Sequence, residues 1–384
     1  MLWGFLMAQF SSRVLLAALV LSGCRSEAPQ KELDPKPPGS SVPAIVKAQS
    51  PAVDCFARGM TGKIGQSDAS LRLLRKDKAL QGSYFYNKVG SDLALTGSVT
   101  DNGFVLEEQV GGKVTGKFDG TCETPERMKG TWTSADGKRS LSFEFAVPTK
   151  LEVVARVQKF KTKARSKSAF GDSCTFERSL PVIFGAKTGD LDGKLQASVD
   201  RFVAKWGMMS GEYEADAKRC SAEGEQMLLV DFNANFSVVP GHNEVLILQF
   251  GGYYQYAETA HPTNAAGASV LNLDLATGKE IEPAEIFTKF DEVLRIAKNE
   301  CTTNEDVASY LGDAFYLLPD GIRVAGVGFP HAMAVYTYQG PVLSYGGLLG
   351  SGLLRSDSPQ ARLWKSVTPN KAPCDKKWTP SDGG

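Results

Sequence analysis

Residues 55–147 contain seven short segments in which apolar and polar residues alternate, with glycine-bearing turns between them. Alternation with a period of two is typical of strands that bury one face. The turns include Asp101-Asn102-Gly103 and Asp136-Gly137, where asparagine or glycine supplies the positive backbone dihedral of a tight hairpin. Consecutive hairpins must hide two sheet edges, and barrel closure does so most completely. We predict a small all-β domain over 55–147, a meander or barrel of seven or eight strands, from the segments 70–74, 80–86, 93–99, 104–108, 113–118, 128–132 and 141–145.

Glycine also recurs inside these strands, at Gly82, Gly97, Gly116 and Gly130. The rhythm resembles that of streptavidin-like and lipocalin-like barrels. One interpretation is that glycine lets a twisted strand bend at a barrel corner, and the other is that it makes room for a small ligand. We favour the bend, and the sequence leaves the pocket open.

The N-terminus carries an apolar run over 14–21 behind Arg13, closed by Leu21-Ser22-Gly23-Cys24. Eight apolar residues fall far short of the roughly 20 that span a bilayer. The tetrapeptide resembles a bacterial lipobox, which implies that 1–23 is a removed signal peptide and that Cys24 is lipidated. Arg25 and Ser26 follow, and no Asp stands there to mark retention at the inner membrane. We therefore expect a lipoprotein anchored in the outer membrane.

The segment after the predicted lipid anchor, 24–54, is rich in proline and serine and has no apolar periodicity. Proline-rich segments favour extended geometry at roughly 3 Å per residue. We predict a tether that holds the folded part away from the membrane.

Six cysteines remain once Cys24 is assigned to the lipid. An even number of widely spaced cysteines in an exported chain predicts three disulfides. No two are close enough for a zinc knuckle and the chain has only three histidines, so we expect neither a metal site nor a cofactor. Spacing does not determine the pairing, although a domain that closes its own bridges favours Cys55 with Cys122. The predicted disulfide cysteines are Cys55, Cys122, Cys174, Cys220, Cys301 and Cys374.

After Pro148 the pattern changes to longer strands mixed with helices. Strand patterns cover 151–161, 174–184, 227–238, 245–256 and 268–275, and helical patterns cover 191–206 and 283–299. Grouped helices without regular strand–helix alternation favour an antiparallel sheet with helices on one face. The predicted fold class is therefore α+β, with an α+β domain over 149–355 following the β-domain and a C-terminal tail over 356–384.

The stretch 254–287 contains a His261-Pro262 loop and then a strand that ends in Asp274-Leu275, with Thr277-Gly278-Lys279 after it. It resembles the extracytoplasmic domain of the RsiV-type family of lysozyme-binding anti-sigma factors. Leu318-Pro319-Asp320-Gly321 resembles the second half of that domain, although Phe329-Pro330-His331 departs from its tyrosine-bearing strand. The resemblance covers roughly 149–355 and implies an envelope binding domain. Because the sequence shows neither a transmembrane helix nor a cytoplasmic segment, we do not carry over the anti-sigma function.

Four residues stand out as candidate ligand-binding residues: Tyr253, Tyr254, Tyr256 and His261. Aromatic side chains crowded beside a polar loop suit a binding surface. The alternative is that the tyrosines alternate between core and rim while His261 bonds its own loop. We assign no catalytic residue, because His261 has no visible serine or cysteine partner and no Gly-x-Ser-x-Gly elbow opens a helix.

Charge is balanced over the whole chain but not along it. With 43 Lys and Arg against 43 Asp and Glu, nothing favours nucleic-acid binding. Residues 168–355, in contrast, hold 13 Lys and Arg against 24 Asp and Glu, a net charge of −11. Such a surface attracts a basic partner such as lysozyme, or it serves solubility alone.

A row of cations runs against this trend, with basic residues at every second position from Lys159 to Lys167. The row suits either anionic lipid headgroups or the protection of a sheet edge from aggregation, and we favour the edge.

These observations predict a non-enzymatic, membrane-anchored envelope lipoprotein whose acidic domain binds a protein or glycan, with a lysozyme-like enzyme as one such ligand. The alternative is a cell-wall hydrolase or modifying enzyme that uses carboxylates such as Glu258, Asp274 or Glu285, and a third is a purely structural envelope component. Glycosidic cleavage needs two carboxylates at a defined separation, which a sequence does not establish. The oligomeric state stays open.

Overall fold

The computed structural model describes residues 54–56, 58–168, 171–185, 189–205, 229–256, 263–264, 269–326, 339–374 and 376–379. At 160, 162–168, 171–173, 189, 229–231, 254–256, 263–264 and 313 it describes the backbone alone. The predicted signal peptide, Cys24, nearly all of the tether, Cys220 and His261 lie outside these ranges.

The first eight strands form a closed antiparallel barrel, because each pairs with the next and β1 pairs with β8. Closure aligns Thr61 with Ala146 and Ile64 with Phe143. This is one of the two arrangements that the alternating segments predicted. The sequence pattern did not mark β1, which is only five residues long. The strands are β1 (Met60–Ile64), β2 (Ser67–Lys76), β3 (Ala79–Tyr86), β4 (Leu93–Thr100), β5 (Gly103–Val110), β6 (Lys113–Thr124), β7 (Arg127–Ser134) and β8 (Ser140–Ala146).

Side chains fill the barrel interior. Tyr84, Phe104 and Phe145 are almost completely buried there, and Phe118 packs edge-on against Tyr84 at 5.4 Å between ring centroids. Glycines allow neighbouring strands to approach closely, since a Cβ added at Gly97 would lie 1.9 Å from the carbonyl oxygen of Val105. This close approach explains why a residue without a Cβ is needed at Gly97, and the choice between a strand bend and a ligand pocket stays open.

One disulfide joins the segment before β1 to β6. Cys55 and Cys122 are bonded, with their Cα atoms 5.7 Å apart, which confirms the favoured pairing. Cys55 is itself buried in the barrel core. The bridge therefore attaches the segment before β1 to the barrel wall.

The described chain from 152 to 379 forms what we call the second region. It contains a six-stranded sheet in the order β13-β12-β11-β10-β9, with β14 also paired to β12. Most pairs are antiparallel, but β10 and β11 run parallel. Since parallel neighbours need a crossover, the helix between them in the chain belongs to that connection. Among the described strands β9 lies at the end of this order, as the favoured interpretation of the cation row requires. The strands are β9 (Glu152–Ser168), β10 (Gly171–Phe184), β11 (Leu229–Val239), β12 (Val245–Tyr256), β13 (Thr263–Asn264) and β14 (Ser269–Asp274).

Different elements pack on the two faces of this sheet. On one face Leu248 and Phe250 form a core with Leu195 and Val199 of α1 (Gly189–Lys205). On the other, Ile247 belongs to a core built mainly from a second, three-stranded sheet and short helices. These elements are α2 (Pro283–Ile286), α3 (Phe290–Asn299), α4 (Glu305–Ala308), β15 (Leu311–Leu317), β16 (Gly321–Gly326), β17 (Val342–Ser344), α5 (Tyr345–Gly350) and the 3-10 helix η1 (Pro359–Trp364).

The predicted α+β class is wrong. Within the described ranges the protein is mostly β, with 51% of residues in strands and 18% in helices. Helices do not form a layer over one face of an antiparallel sheet: the predicted helix 283–299 is interrupted after Ile286, where Phe287 bridges to Leu354. The helical periodicity was real, but packing divided it into short pieces.

The barrel contacts β9 and β10 of the second region. Arg72 of β2 donates a hydrogen bond to the carbonyl oxygen of Ile183 at 2.5 Å and stacks over the Phe184 ring. Phe85 of β3 packs with Val182 and Phe184 in a separate apolar cluster. Burial lowers the pKa of Arg72, and the charges of Asp192 and Asp200 oppose that shift.

The chain after 355 packs against α2, α5 and the segment that follows α3. Cys301 and Cys374 form a disulfide, and the Trp378 amide donates to the Cys301 carbonyl oxygen at 2.7 Å. Glycines of α5 make this packing possible, because a Cβ at Gly350 would lie 1.8 Å from the Asn370 carbonyl oxygen. Cys174 is also disulfide-bonded.

Candidate functional site

The predicted aromatic site lies on β12 and the loop after it. Tyr253 is half-buried, and its backbone is aligned with Asn233 of β11 and Asn264 of β13. Strand alternation gives Tyr253 the parity of Gln249, opposite to that of positions 254 and 256. The side chains of Tyr254 and Tyr256, and all of His261, are outside the described residues. The joint site of these four residues therefore stays a prediction.

Asp274, a carboxylate of the alternative hydrolase hypothesis, is fully buried at the end of β14. Its Oδ1 accepts hydrogen bonds from Nη2 of Arg362 at 2.6 Å and from the Ala276 amide at 2.7 Å. Arg362 also donates to Glu244. Burial by itself lowers the pKa of Arg362, but the two carboxylates reverse this and raise it overall. Asp274 thus holds the turn 275–279 and its ion pair.

The other two carboxylates of that hypothesis do not join Asp274 in a described cleft. Glu285 forms a capping box, in which its Oε2 accepts a hydrogen bond from the Glu282 amide at 3.0 Å. This reciprocal arrangement stabilises the start of α2. Glu258 is outside the described residues.

The barrel contains a buried carboxylate that sequence reasoning missed. Glu108 of β5 is only 5% exposed, and three neutral groups donate hydrogen bonds to it. They are the Tyr84 hydroxyl, the Trp132 indole at 2.9 Å and the Thr115 hydroxyl at 2.6 Å. One signal could have found it, because Glu108 has the same strand parity as buried Phe104 and Leu106. All its described contacts are internal, so the network stabilises the barrel.

The Glu108 network also changes the chemistry of its tyrosine. Burial raises the pKa of Tyr84 first, and the hydrogen bond to Glu108 raises it further. The hydroxyl therefore stays protonated well above the usual pKa of tyrosine. It acts as a hydrogen-bond donor to the carboxylate, not as an acid.

A cleft of about 760 Å³ lies between α1 and the turn after β14. Its charged lining is mainly basic, with Lys194, Arg201 and Lys279 against Asp190. The Ser198 hydroxyl donates to the Gly278 carbonyl oxygen at 2.8 Å and joins the turn to the helix. This face does not suit a basic partner.

The acidity of the second region is concentrated in the described segment 280–306, which holds eight Asp and Glu against three Lys and Arg. We call its exposed part the acidic surface, defined by Glu282, Asp291, Glu300, Glu305 and Asp306. Within the described residues Glu300 pairs with Arg295, whereas Asp291, Glu305 and Asp306 form no ion pair. These three lie in first helical turns, where the helix dipole also favours carboxylates.

Two observations bear on the electrostatics and the rigidity of the acidic surface. Burial raises the pKa of Glu280 first, and the negative charge of nearby Glu282 adds to the shift, whereas Lys205 and Arg201 oppose it. The second is rigidity, because α3 and α4 pack together and the Cys301–Cys374 bridge lies between them in the chain. The carboxylates are thus held on helices that are fixed by mutual packing and by a nearby disulfide.

Neither a membrane span nor a metal cluster is found among the described residues. None of their helices is both long and apolar enough to cross a bilayer. Nor do the described side chains bring together three histidine, cysteine, aspartate or glutamate residues in a way that could hold a metal ion.

Comparison with known proteins gives matches at the level of structure only. No protein-family model and no curated protein sequence matches this chain. A solved DUF3298 family protein from Bacteroides fragilis is similar, with 17% identity, a TM-score of 0.38, and coverage of 57% of this chain and 99% of its own. A second, from Pseudomonas aeruginosa, has 14% identity, a TM-score of 0.34, and coverage of 54% of this chain and 95% of its own. These structural neighbours are thus DUF3298 proteins, a bacterial domain family.

Proposed function

We propose that this protein is a lipid-anchored, non-enzymatic lipoprotein of the outer membrane that binds a basic protein, of the lysozyme type, or a glycan through its second region. The observation that supports the proposal is the acidic surface on α2, α3 and α4. Three of its carboxylates, Asp291, Glu305 and Asp306, are exposed and have no ion pair among the described residues.

Complementary charge is the physical basis of this recognition. A negative patch raises the encounter rate with a positive partner and disfavours acidic competitors. Interactions between exposed charges are screened beyond about 8 Å at physiological salt. Binding of the basic partner should therefore weaken as the salt concentration increases. The rigidity of α3 and α4 favours binding because less conformational freedom is lost on association.

A binding role suits the described carboxylates better than catalysis. Asp274 is engaged by Arg362 and a backbone amide, and Glu285 by the capping box of α2. Both therefore have structural partners, whereas a glycosidase needs two carboxylates that flank the bond.

The decisive experiment measures binding of the full chain to lysozyme at low and high salt. The test variant carries Asp291→Lys, Glu305→Lys and Asp306→Lys. The control carries Asp101→Lys, Glu107→Lys and Glu126→Lys, which make the same charge change on exposed barrel residues. We expect the test variant to bind at least about tenfold more weakly and the control to change by less than about threefold, since the partner senses local potential.

Two results would contradict the proposal. Equal loss in both variants would indicate a non-specific charge effect. Release of soluble fragments from purified peptidoglycan by the full chain would show enzymatic activity instead. The lipid anchor has a separate test, because a fatty-acid analogue supplied to cells should label the wild-type chain and not a Cys24→Ala variant.

A further inference from the structure

The outer wall of the barrel carries an open cleft of about 780 Å³ across β1, β8, β7 and β6. Its volume falls within the range of roughly 300–1,000 Å³ typical of small-molecule sites. The outer wall of a small barrel would be convex if its inward positions all carried side chains. This concavity needs a cause in the sequence.

Glycines at inward positions provide that cause. A Cβ at Gly120 would lie 2.7 Å from Cζ of Phe143 and 2.8 Å from Cζ of Phe104, and one at Gly130 would lie 2.8 Å from Cε1 of Phe143. At these two positions no side chain separates the backbone of the wall from the aromatic core. The wall can approach the core rings, and its outer surface is indented there.

Strand register sets the outward side chains in two rows. The first row runs from Lys63 through Glu144 and Lys129 to Thr121, because these residues are aligned across β1, β8, β7 and β6. The second row aligns Ser142, Thr131 and Asp119 across β8, β7 and β6.

The cleft combines donors and acceptors without excess charge, since two lysines balance Asp119 and Glu144. Lys63 pairs with Asp68, and Lys129 pairs with Glu123, which also lowers the pKa of Glu123. Glu144 pairs with Arg127, so Asp119 is the one charged residue of the lining that forms no ion pair among the described residues.

The second row remains available to a ligand. Within the described part of the chain, the carboxylate of Asp119 and the hydroxyl of Thr131 form no side-chain hydrogen bond. They offer an acceptor and a hydroxyl side by side on neighbouring strands, 119 being aligned with 131. Because the lining carries no net charge, it favours a neutral, polyhydroxylated ligand over a strongly charged one.

We propose that this cleft binds an uncharged oligosaccharide, with Asp119 accepting hydrogen bonds from sugar hydroxyls and the two rows lying along the glycan. The site lies on the barrel and is separate from the acidic surface. Protein binding and glycan binding can therefore fail independently.

The test titrates the full chain with tetra-N-acetylchitotetraose by calorimetry. Thr131→Arg fills the cleft, and Asp119→Asn removes the charged acceptor while keeping its shape. The matched control is Ser98→Arg, an exposed strand position on β4, which does not border the cleft. We expect saturable binding that is weakened about tenfold or more by Thr131→Arg, and severalfold by Asp119→Asn, because a bond to a charged group contributes more than a neutral one.

Further results support or overturn the proposal. Binding that persists in 0.5 M salt, and in the lysine variant of the acidic surface, supports an uncharged ligand in the barrel cleft. No saturable binding by the wild-type chain would overturn the proposal. So would equal weakening by Ser98→Arg and Thr131→Arg, or unchanged binding by both Thr131→Arg and Asp119→Asn.

Discussion

The barrel and the mixed sheet each contain a buried carboxylate, Glu108 and Asp274, and they compensate it in different ways. Glu108 in the barrel receives hydrogen bonds from three neutral side chains. Asp274 beside the sheet receives one from a backbone amide and one from the charged Arg362. Removal of one neutral donor leaves the others in place, whereas removal of the arginine leaves a buried charge without its counterion. The two regions should therefore respond differently to single substitutions.

The Cys55–Cys122 and Cys301–Cys374 disulfides test whether the regions depend equally on covalent closure, and they carry the largest expected effect. The bridges span 67 and 73 residues. Loop-closure entropy predicts a loss of about 4 kcal/mol in the free energy of unfolding for either one. Denaturant unfolding of Cys55→Ser with Cys122→Ser, and of Cys301→Ser with Cys374→Ser, measures both losses. A difference of more than about 2 kcal/mol between them would show that strain or residual structure distinguishes the regions.

The arginine of the second region comes next. Arg362→Ala should reduce the free energy of unfolding by about 3 kcal/mol, because it leaves Asp274 buried without its counterion. Arg355→Ala is the control, since its partner Asp357 is exposed, and it should cost less than about 1 kcal/mol. Adding Asp274→Asn to Arg362→Ala should recover part of the loss. If the double variant is as unstable as Arg362→Ala, the charge of Asp274 is not the cause.

Loss of the barrel tyrosine should cost less at neutral pH. Tyr84→Phe removes one of the three donors to Glu108 and should lower the free energy of unfolding by about 1–2 kcal/mol. The matched substitution in the second region is Tyr345→Phe, whose hydroxyl donates to the Leu318 carbonyl oxygen at 2.8 Å. A loss above about 3 kcal/mol for Tyr84→Phe would mean that the network acts as one unit.

The smallest expected effect is that of tyrosine ionisation, which changes the free energy of unfolding only at alkaline pH. It compares the buried tyrosine of the barrel with that of the second region. Burial is the main cause that raises the pKa of Tyr84 and of Tyr345 above the ordinary value of 10.0. The folded state keeps protons that the unfolded chain releases, so stability is complete below pH 10 and falls as pH rises above it. Each tyrosine should contribute about 1.4 kcal/mol per pH unit. Unfolding curves from pH 9 to 11 should show a shallower decline in each Phe variant, and an unchanged slope would contradict the burial of that hydroxyl.

Sequence reasoning succeeded best where contacts are local. The barrel strands follow one another through tight turns, so the alternation and the turn glycines near Asn102 or Asp136 were sufficient to locate seven of the eight strands. It failed for the second region, where the parallel pairing of β10 and β11 joins segments separated by a helix. Helical periodicity predicted α1 well, yet it could not show that 283–299 would divide at Phe287.

The candidate sites were less accessible to sequence reasoning than the strands. Acidity in the second region was visible as a composition, but its concentration on α2 to α4 depended on which carboxylates found partners. Glu108 could have been noticed from its inward parity, whereas its three donors come from β3, β6 and β7. The barrel cleft needed the register of four strands before Asp119 and Thr131 became neighbours.

The sequence by itself determined the strand rhythm of residues 55–147 and the uneven distribution of charge, because each depends on nearby residues or on simple counts. The tertiary structure decided the mixed sheet, the ion pair of Asp274 with Arg362 and the indentation of the barrel wall. The physical reason is that these features arise from burial and register between distant segments. Local periodicity carries no information about which distant partner a strand or a buried charge will meet.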